Sequence, residues 1–234
     1  MRHEVPSPAI GRRFLVVGVL LLAAGLALAS WIASGIDAAN ARDLPINTWF
    51  HDRADTGGVL RSVSEFVSWI GAGPHIVPIE LATVAVLLLV RRWRWAVFVF
   101  VSSMGGHILS NLTKRIVERP RPPWFIIHAD QTVAMFPSFP SGHTTSGMAG
   151  LVAIAIMLWF VLPRPWSTVA APIVGAIGVF QGPSRLFLAK HWLTDVLGGL
   201  AFGAGWLCVV WGAFLLWLVP RTDDAEREPV GVAD

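Results

Sequence analysis

Six stretches of this chain are apolar for close to the length of a bilayer crossing, and this excludes most other ways of folding it. A helical span needs about 20 mostly apolar residues, with about 17–25 tolerated. The stretches are Phe14 to Ile36, Ile76 to Val90 with an extension back through Gly71 to Pro74, Trp95 to Leu112, Ser141 to Leu162, Trp166 to Leu188 and Trp192 to Val219. Composition agrees: 14% of residues are charged, against about 25% in soluble domains, too few to coat a globule of this size. A 54% hydrophobic content also excludes a disordered chain. The expected fold is all-α, a polytopic membrane helical bundle of six transmembrane helices.

The first stretch follows Arg12-Arg13 and contains Ala27-Leu28-Ala29, which resembles a signal-peptide cleavage site. At 23 residues it exceeds the usual core of about 7–15, so it is read as a retained span. Trp31, Trp93, Trp95, Trp159, Trp166, Trp192 and Trp217 fall near span ends, where indoles favour the membrane interface. Counting Lys and Arg does not orient the bundle, because nine fall on each side. The compact Arg91-Arg92-Trp93-Arg94 turn carries no acid and reads as an inside turn. Both termini are therefore expected in the cytoplasm, in a multi-pass protein of the cell membrane.

Asp37 to Gly73 is read as mostly non-spanning. Within it Val59, Leu60, Val63, Phe66, Val67 and Ile70 recur at helical spacing opposite Arg61, Ser62, Ser64, Glu65 and Ser68, which predicts an interfacial amphipathic helix. The chain divides into a cytoplasmic segment 1–13, one six-span domain 14–220 and a polar cytoplasmic tail 221–234. Cys208 is the one cysteine and has no intrachain partner, so disulfides and cysteine metal sites drop out. The net charge of +3 is scattered between apolar runs, with no basic domain to bind nucleic acid; the partners are the lipid bilayer and its lipids. Nothing in the sequence sets the oligomeric state.

Polar chemistry gathers at three places. Lys114 to Pro122 leaves the third span, Pro140-Ser141-Gly142-His143 enters the fourth, and Ser184-Arg185, His191 and Asp195 bridge the fifth and sixth. With six spans, all three emerge on one outer face. Lysine and arginines gathered there favour a phosphate ligand, since guanidinium forks match its oxygens. Ser141 stands at a helix start, where its hydroxyl and free amides can bind an anion. His191 and Asp195 are four residues apart, so they share one helical face. The carboxylate can fix the imidazole tautomer and leave the other nitrogen as a nucleophile. His143, from another helix, can protonate a leaving oxygen. Glu80 and His107 lie within spans and are read as supporting the pocket or as interfacial.

The three clusters together resemble the type 2 phosphatidic acid phosphatase superfamily. Its motifs read Lys, six residues, Arg-Pro; Pro-Ser-Gly-His; and Ser-Arg, five residues, His, three residues, Asp. Lys114 with Arg121-Pro122, Pro140 to His143, and Ser184-Arg185 with His191 and Asp195 match without departure. Arg119 also precedes a proline, but the family spacing selects Arg121. The resemblance implies that His191 attacks phosphorus, oriented by Asp195, and that Lys114, Arg121, Ser141, Gly142 and Arg185 hold the phosphate oxygens. His143 would protonate the leaving group. It implies a lipid phosphate or diphosphate phosphatase working through phosphohistidine, with no cofactor and no metal; the sequence has no acidic cluster suited to magnesium. The resemblance points first to an isoprenyl diphosphate such as undecaprenyl diphosphate, with phosphatidic acid and phosphatidylglycerol phosphate as alternatives. A phosphotransferase with another acceptor would carry the same motifs. A channel would not need the His191, Asp195 and His143 set, and vanadium haloperoxidases share the anion pocket but are largely soluble.

Overall fold

The computed structural model describes residues 6–54, 58–125 and 136–218. The start of the N-terminal segment and the tail expected from Arg221 lie outside the described residues. Among those described there is no strand. The first helix, α1 (Pro8–Ser34), begins with a proline in its first turn and stops at Gly35, the asymmetry expected when the missing proline amide would be unpaired anyway. It runs antiparallel to the last helix, α9 (Leu193–Leu218), and glycines set the spacing. A Cβ on Gly18 would lie 2.7 Å from the Gly205 carbonyl oxygen, and one on Gly212 would lie 2.6 Å from that of Gly11. Gly11, Gly18 and Gly25 on one helix, and Gly198, Gly205 and Gly212 on the other, recur every seven residues. Lipid tails are as apolar as leucine, so helices gain by approaching closely through small residues. On the outer side of α1, Val16, Val19 and Leu20 are exposed.

Between the spans, most of the described part of 37–73 is helical. It forms α2 (Ile36–Ala54) and α3 (Val59–Ile70). The amphipathic helix expected at α3 is present with a different orientation: Ser64 and Ser68 are buried, while Val59, Leu60, Val63, Phe66 and Trp69 are exposed. The face turned to the protein carries Ser64, Val67 and Ser68, while Arg61, Ser62 and Glu65 stay exposed beside the outward apolar residues, so two serines of the polar face point toward the interior, where the polar site lies. After a 58° bend the chain continues as α4 (Gly73–Leu89), then α5 (Trp93–Val117).

The next span is a composite of α6 (Gly142–Ser146), a π turn at Gly147–Leu151 and α7 (Val152–Val161). A π turn breaks the regular ladder, and here Ser102 Oγ donates to the carbonyl of Ala149 at 2.6 Å. Gly150 in this turn packs against Glu80 Oε1 with no room for a Cβ. Then come α8 (Arg164–Phe187) and α9.

Among the described residues, four helical stretches are long and apolar enough to cross a membrane: Ala9–Ser34, Trp93–Val117, Gly142–Val161 and Leu193–Trp217. The bent pair α3 and α4 makes a fifth if counted as one span. The chain is a multi-pass membrane protein with four to five such spans, against the six expected. The difference lies in α4, which has 17 residues, and in α8, whose inner face buries Ser167, Gln181, Ser184 and Arg185. The indoles also divide: Trp93, Trp166 and Trp217 are exposed as expected of interface residues, but Trp95 and Trp192 are buried. Trp95 stacks with Phe160 and Trp211 and packs on Phe98 and Phe214. This aromatic core fills the bundle at the start of α5 and the end of α9. The opposite end is left for polar groups.

Candidate active site

The end of α5, the start of α6, the end of α8 and the start of α9 meet at that opposite end, and with them all three sequence clusters. His191 and Asp195 are joined by the first turn of α9. His191 Nδ1 donates to Asp195 Oδ2 at 3.2 Å, so the ring's Nε2 faces the other way. There Arg121 Nη1 donates to it at 3.2 Å. Both His191 and Asp195 are buried. The second carboxylate oxygen is engaged too: Arg119 Nη1 donates to Asp195 Oδ1 at 2.8 Å, while Oδ2 also accepts from the Trp192 amide at 2.9 Å and from Ser138 Oγ.

Arg119, which the motif spacing passes over, is fully buried. Its other nitrogens donate to Asn40 Oδ1 at 2.9 Å and Asp43 Oδ2 at 2.9 Å, and its guanidinium lies 5.1 Å from the Trp192 ring centre. From the same face of α2, Asn47 Nδ2 donates to the His191 carbonyl at 2.7 Å and Asn47 Oδ1 accepts from the Leu193 amide at 3.0 Å. The turn bearing His191 is thus held from both ends. Sequence reading missed α2 altogether, although Asn40, Asp43 and Asn47 recur at the three- and four-residue spacing of one helical face.

The cations surround Nε2. Lys114, in the last turn of α5, donates to the Pro137 carbonyl at 2.7 Å. Arg121 donates to the Lys190 carbonyl at 2.9 Å and the Phe136 carbonyl at 3.2 Å. Trp124 Nε1 donates to Ala189 O at 2.8 Å and Trp192 Nε1 to Pro120 O at 2.8 Å, pinning the loop after α5 to the turn before α9. Arg185 is buried and donates to Ser68 Oγ, and its Nε has no partner among the described residues. His143 Nε2 donates to the Ser68 carbonyl at 3.2 Å, so α3 supplies the rest position of both groups.

Ser141 caps α6. Its Oγ accepts from the Thr144 amide at 3.4 Å and from Thr144 Oγ1 at 2.9 Å, and its amide donates to the Asp195 carbonyl at 2.9 Å. A Cβ on Gly142 would meet Lys114 Cε and Ser110 Oγ at 3.8 Å, which puts this backbone beside the lysine. Every residue singled out from the motifs therefore converges on one end of the bundle.

Burial first, and then Arg121, Lys114 and Arg185, hold the His191 imidazole well below its usual pKa of 6.5. It is neutral at neutral pH, with the Nε2 lone pair available. Burial also lowers Arg121, opposed by Asp195. Glu80 and His107 form a pair at 2.8 Å with Glu80 buried, so Glu80 is interior rather than interfacial. His107 lines a cavity of about 340 Å³ between α4 and α5 that reaches Lys114 and Gly142 and has Ile76, Val77 and Met104 on its walls. Among the described residues no three His, Cys, Asp or Glu side chains are grouped to hold a metal.

Residues 92–217, more than half of the sequence, match the PAP2 superfamily. The chain belongs to the PAP2 superfamily. Among the relatives of this PAP2 protein, the phosphatidylglycerophosphatase B of Bacillus subtilis is 29% identical over 62% of the chain and 70% of that protein. A decaprenylphosphoryl-5-phosphoribose phosphatase of Mycobacterium tuberculosis is 29% identical over 65% of the chain and 77% of that protein. A lipid A 1-phosphatase of Rhizobium etli is 32% identical, but the match spans 47% of its length. The crystal structure of a transmembrane PAP2-type phosphatidylglycerolphosphate phosphatase from Bacillus subtilis superposes with a TM-score of 0.62 at 25% identity, covering 90% of this chain and 98% of that one.

Proposed function

We propose that this protein is an integral membrane phosphatase of lipid phosphates or diphosphates, working through a phosphohistidine intermediate without a metal. The observation that carries the reading is the orientation of His191: Nδ1 is committed to Asp195, and Nε2 faces the cationic wall that Arg121 begins. His191 Nε2 attacks phosphorus while Lys114, Arg121, Arg185 and the Ser141-Gly142 backbone hold the oxygens whose charge builds in the transition state. Asp195 stabilises the charge the imidazole acquires. His143 gives its proton to the leaving oxygen and later takes one from the water that releases phosphate.

Six spans are proposed, with α4 and α8 completing the set; exposed Leu81, Val86 and Leu88 on α4 and Trp166, Val169 and Ile173 on α8 support hydrocarbon contact for both. Both termini are assigned to the cytoplasm and the site to the extracytoplasmic end. The outward apolar face of α3, a helix that also lines the cavity beside His143, suits a leaving group whose tail stays in the bilayer. Undecaprenyl diphosphate, phosphatidic acid and phosphatidylglycerol phosphate are the substrates to compare, in line with relatives named for phosphatidylglycerophosphate and undecaprenyl diphosphate.

The test is phosphate release by the purified chain in detergent from these lipids and from a soluble sugar phosphate, with and without chelator. Lipid turnover that survives chelator, disappears in His191→Ala and leaves an acid-labile, base-stable phosphoenzyme is expected. Preference for the soluble ester would overturn the lipid reading, and rescue by magnesium after chelation would overturn the metal-free mechanism. Single cysteines replacing Asp52 and Arg164, in a Cys208→Ser background, should react from opposite sides with an impermeant thiol reagent. Labelling of the Arg164 site from outside would reverse the orientation.

A further inference from the structure

Beyond His143 the site opens into a second cavity, and its wall carries a cation for which the phosphate clamp has no use. The cavity, about 490 Å³, lies between α3 and the turn after α8 and is lined by Glu65, Ser68, Trp69, His143, Arg185 and Lys190 among others. Ala189, with φ of 52°, reverses the chain in the left-handed region. The Lys190 carbonyl thereby reaches Arg121, while the Lys190 side chain lines the cavity. The ammonium makes no hydrogen bond or ion pair with any described residue. Glu65, the carboxylate on this wall, is already engaged by Arg61 at 3.0 Å. Partial burial first, then Arg185 and Arg121, lower the pKa of Lys190, opposed by Glu65, so the cations around it outweigh the nearby carboxylate.

In an in-line displacement the leaving group departs opposite the nucleophile. His191 Nε2 attacks from the Arg121 side, and His143 is the acid, so the cavity that His143 lines is where the leaving group goes. If the leaving group were an alcohol, a proton from His143 would suffice. A leaving phosphate needs a counter-charge, and Lys190 is placed to give one.

We propose that this cavity is the leaving-group subsite and that Lys190 binds a second phosphoryl group in it, which makes lipid diphosphates the substrate class this site favours. The proposal rests on the phosphatase reading above and deepens it. The bond from His191 Nε2 to the terminal phosphorus forms as the bond from that phosphorus to the bridging oxygen breaks. The electron pair stays on the bridging oxygen, which takes the proton from His143 and leaves as a lipid monophosphate held by Lys190. Water then cleaves the phosphorus–nitrogen bond, its proton passing to His143, and inorganic phosphate departs.

Lys190 is exposed, so its replacement is compatible with folding. The experiment compares the full chain with Lys190→Gln and Lys190→Arg in detergent, using undecaprenyl diphosphate and phosphatidic acid as substrates. In Lys190→Gln the ratio of kcat/KM for the diphosphate over the monoester should fall about tenfold or more, the range of a charge-assisted hydrogen bond, and Lys190→Arg should restore most of it. Inhibition gives an independent readout: Lys190→Gln should weaken competition by inorganic pyrophosphate more than competition by inorganic phosphate. An unchanged ratio with unchanged pyrophosphate inhibition would overturn the subsite while leaving the phosphatase standing. Absence of lipid hydrolysis by the wild-type chain would instead remove the phosphatase reading itself.

Discussion

Arg119 Nη1 lies 2.8 Å from Asp195 Oδ1, and neither side chain is exposed to solvent. An arginine that deep is stable only if its donors are largely met, and Asn40, Asp43 and Thr194 accept three more of them. Arg119 binds the carboxylate oxygen that His191 does not use, so the guanidinium holds Asp195 in the orientation in which Oδ2 meets Nδ1. Removing one member of a buried pair strands the other, at a cost of about 3–5 kcal/mol. Arg119→Ala should therefore lower the unfolding temperature in detergent substantially and abolish turnover. Arg119→Lys, which keeps the charge but cannot reach three acceptors in a plane, should fold better and still lose most of kcat. Wild-type kcat in Arg119→Lys would show that the fork geometry does not position Asp195.

Asn47 acts on the same turn from α2. Its amide satisfies a carbonyl at His191 and an amide at Leu193, and Asn47→Ala leaves both without that partner, at about 1–3 kcal/mol for each group left buried. The expected signature is loss of kcat with KM for the lipid little changed, since the phosphate clamp does not touch Asn47. A change confined to KM would count against the positioning role.

How much of this could be read from the sequence depended on distance along the chain. Lys114, Arg121, Ser141, His143, Arg185, His191 and Asp195 fall into short runs at the ends of apolar stretches, where the resemblance to the family's three motifs picks them out. The supports of the site do not. Ser138, Asn47, Asp43 and Ser68 act on residues 57 to 151 positions away, and no local pattern records such pairings. The α3 helix shows a related limit. Its amphipathic period was legible, but which face turned inward depended on a polar site built by other helices. The Gly11, Gly18 and Gly25 repeat was present in plain view, yet its meaning required the matching glycines near the other end of the chain.

That glycine seam makes its own prediction. A Cβ at Gly18 already meets Gly205 O and Val209 at 2.7 Å, so Gly18→Leu must push α1 from α9, at about 1–3 kcal/mol or more. Leu20→Ala, on the exposed face of the same helix, should stay within about 0.5 kcal/mol. Thermal unfolding in detergent separates the two, and equal effects would mean that α1 and α9 do not depend on close contact.

The pH profile should carry the mark of His191. Its pKa is displaced well below 6.5 by burial and by the cations around it, so the free enzyme holds a neutral nucleophile through neutral pH and into mild acid. The profile of kcat/KM reports the free enzyme, and its acid limb from His191 should fall below pH 6.5. Arg121→Gln removes the largest charge contribution to that displacement, so the limb should move upward, toward 6.5. A downward movement would contradict the proposed electrostatics.

His143 should matter in proportion to the leaving group's need for a proton. It rests with Nε2 on the Ser68 carbonyl at 3.2 Å, next to the cavity assigned to the leaving group. A lipid alkoxide is a poor leaving group and needs general-acid help, which is worth about 10²–10⁴ in rate. Nitrophenolate needs little. In His143→Ala, hydrolysis of phosphatidic acid should therefore fall by roughly that factor, while p-nitrophenyl phosphate should lose far less. A diphosphate should lie between them, because its departing phosphate is a better leaving group than an alkoxide and Lys190 answers part of its charge. The order of the three losses is the decisive measurement: equal losses for all three substrates would assign His143 to phosphate binding instead of proton transfer.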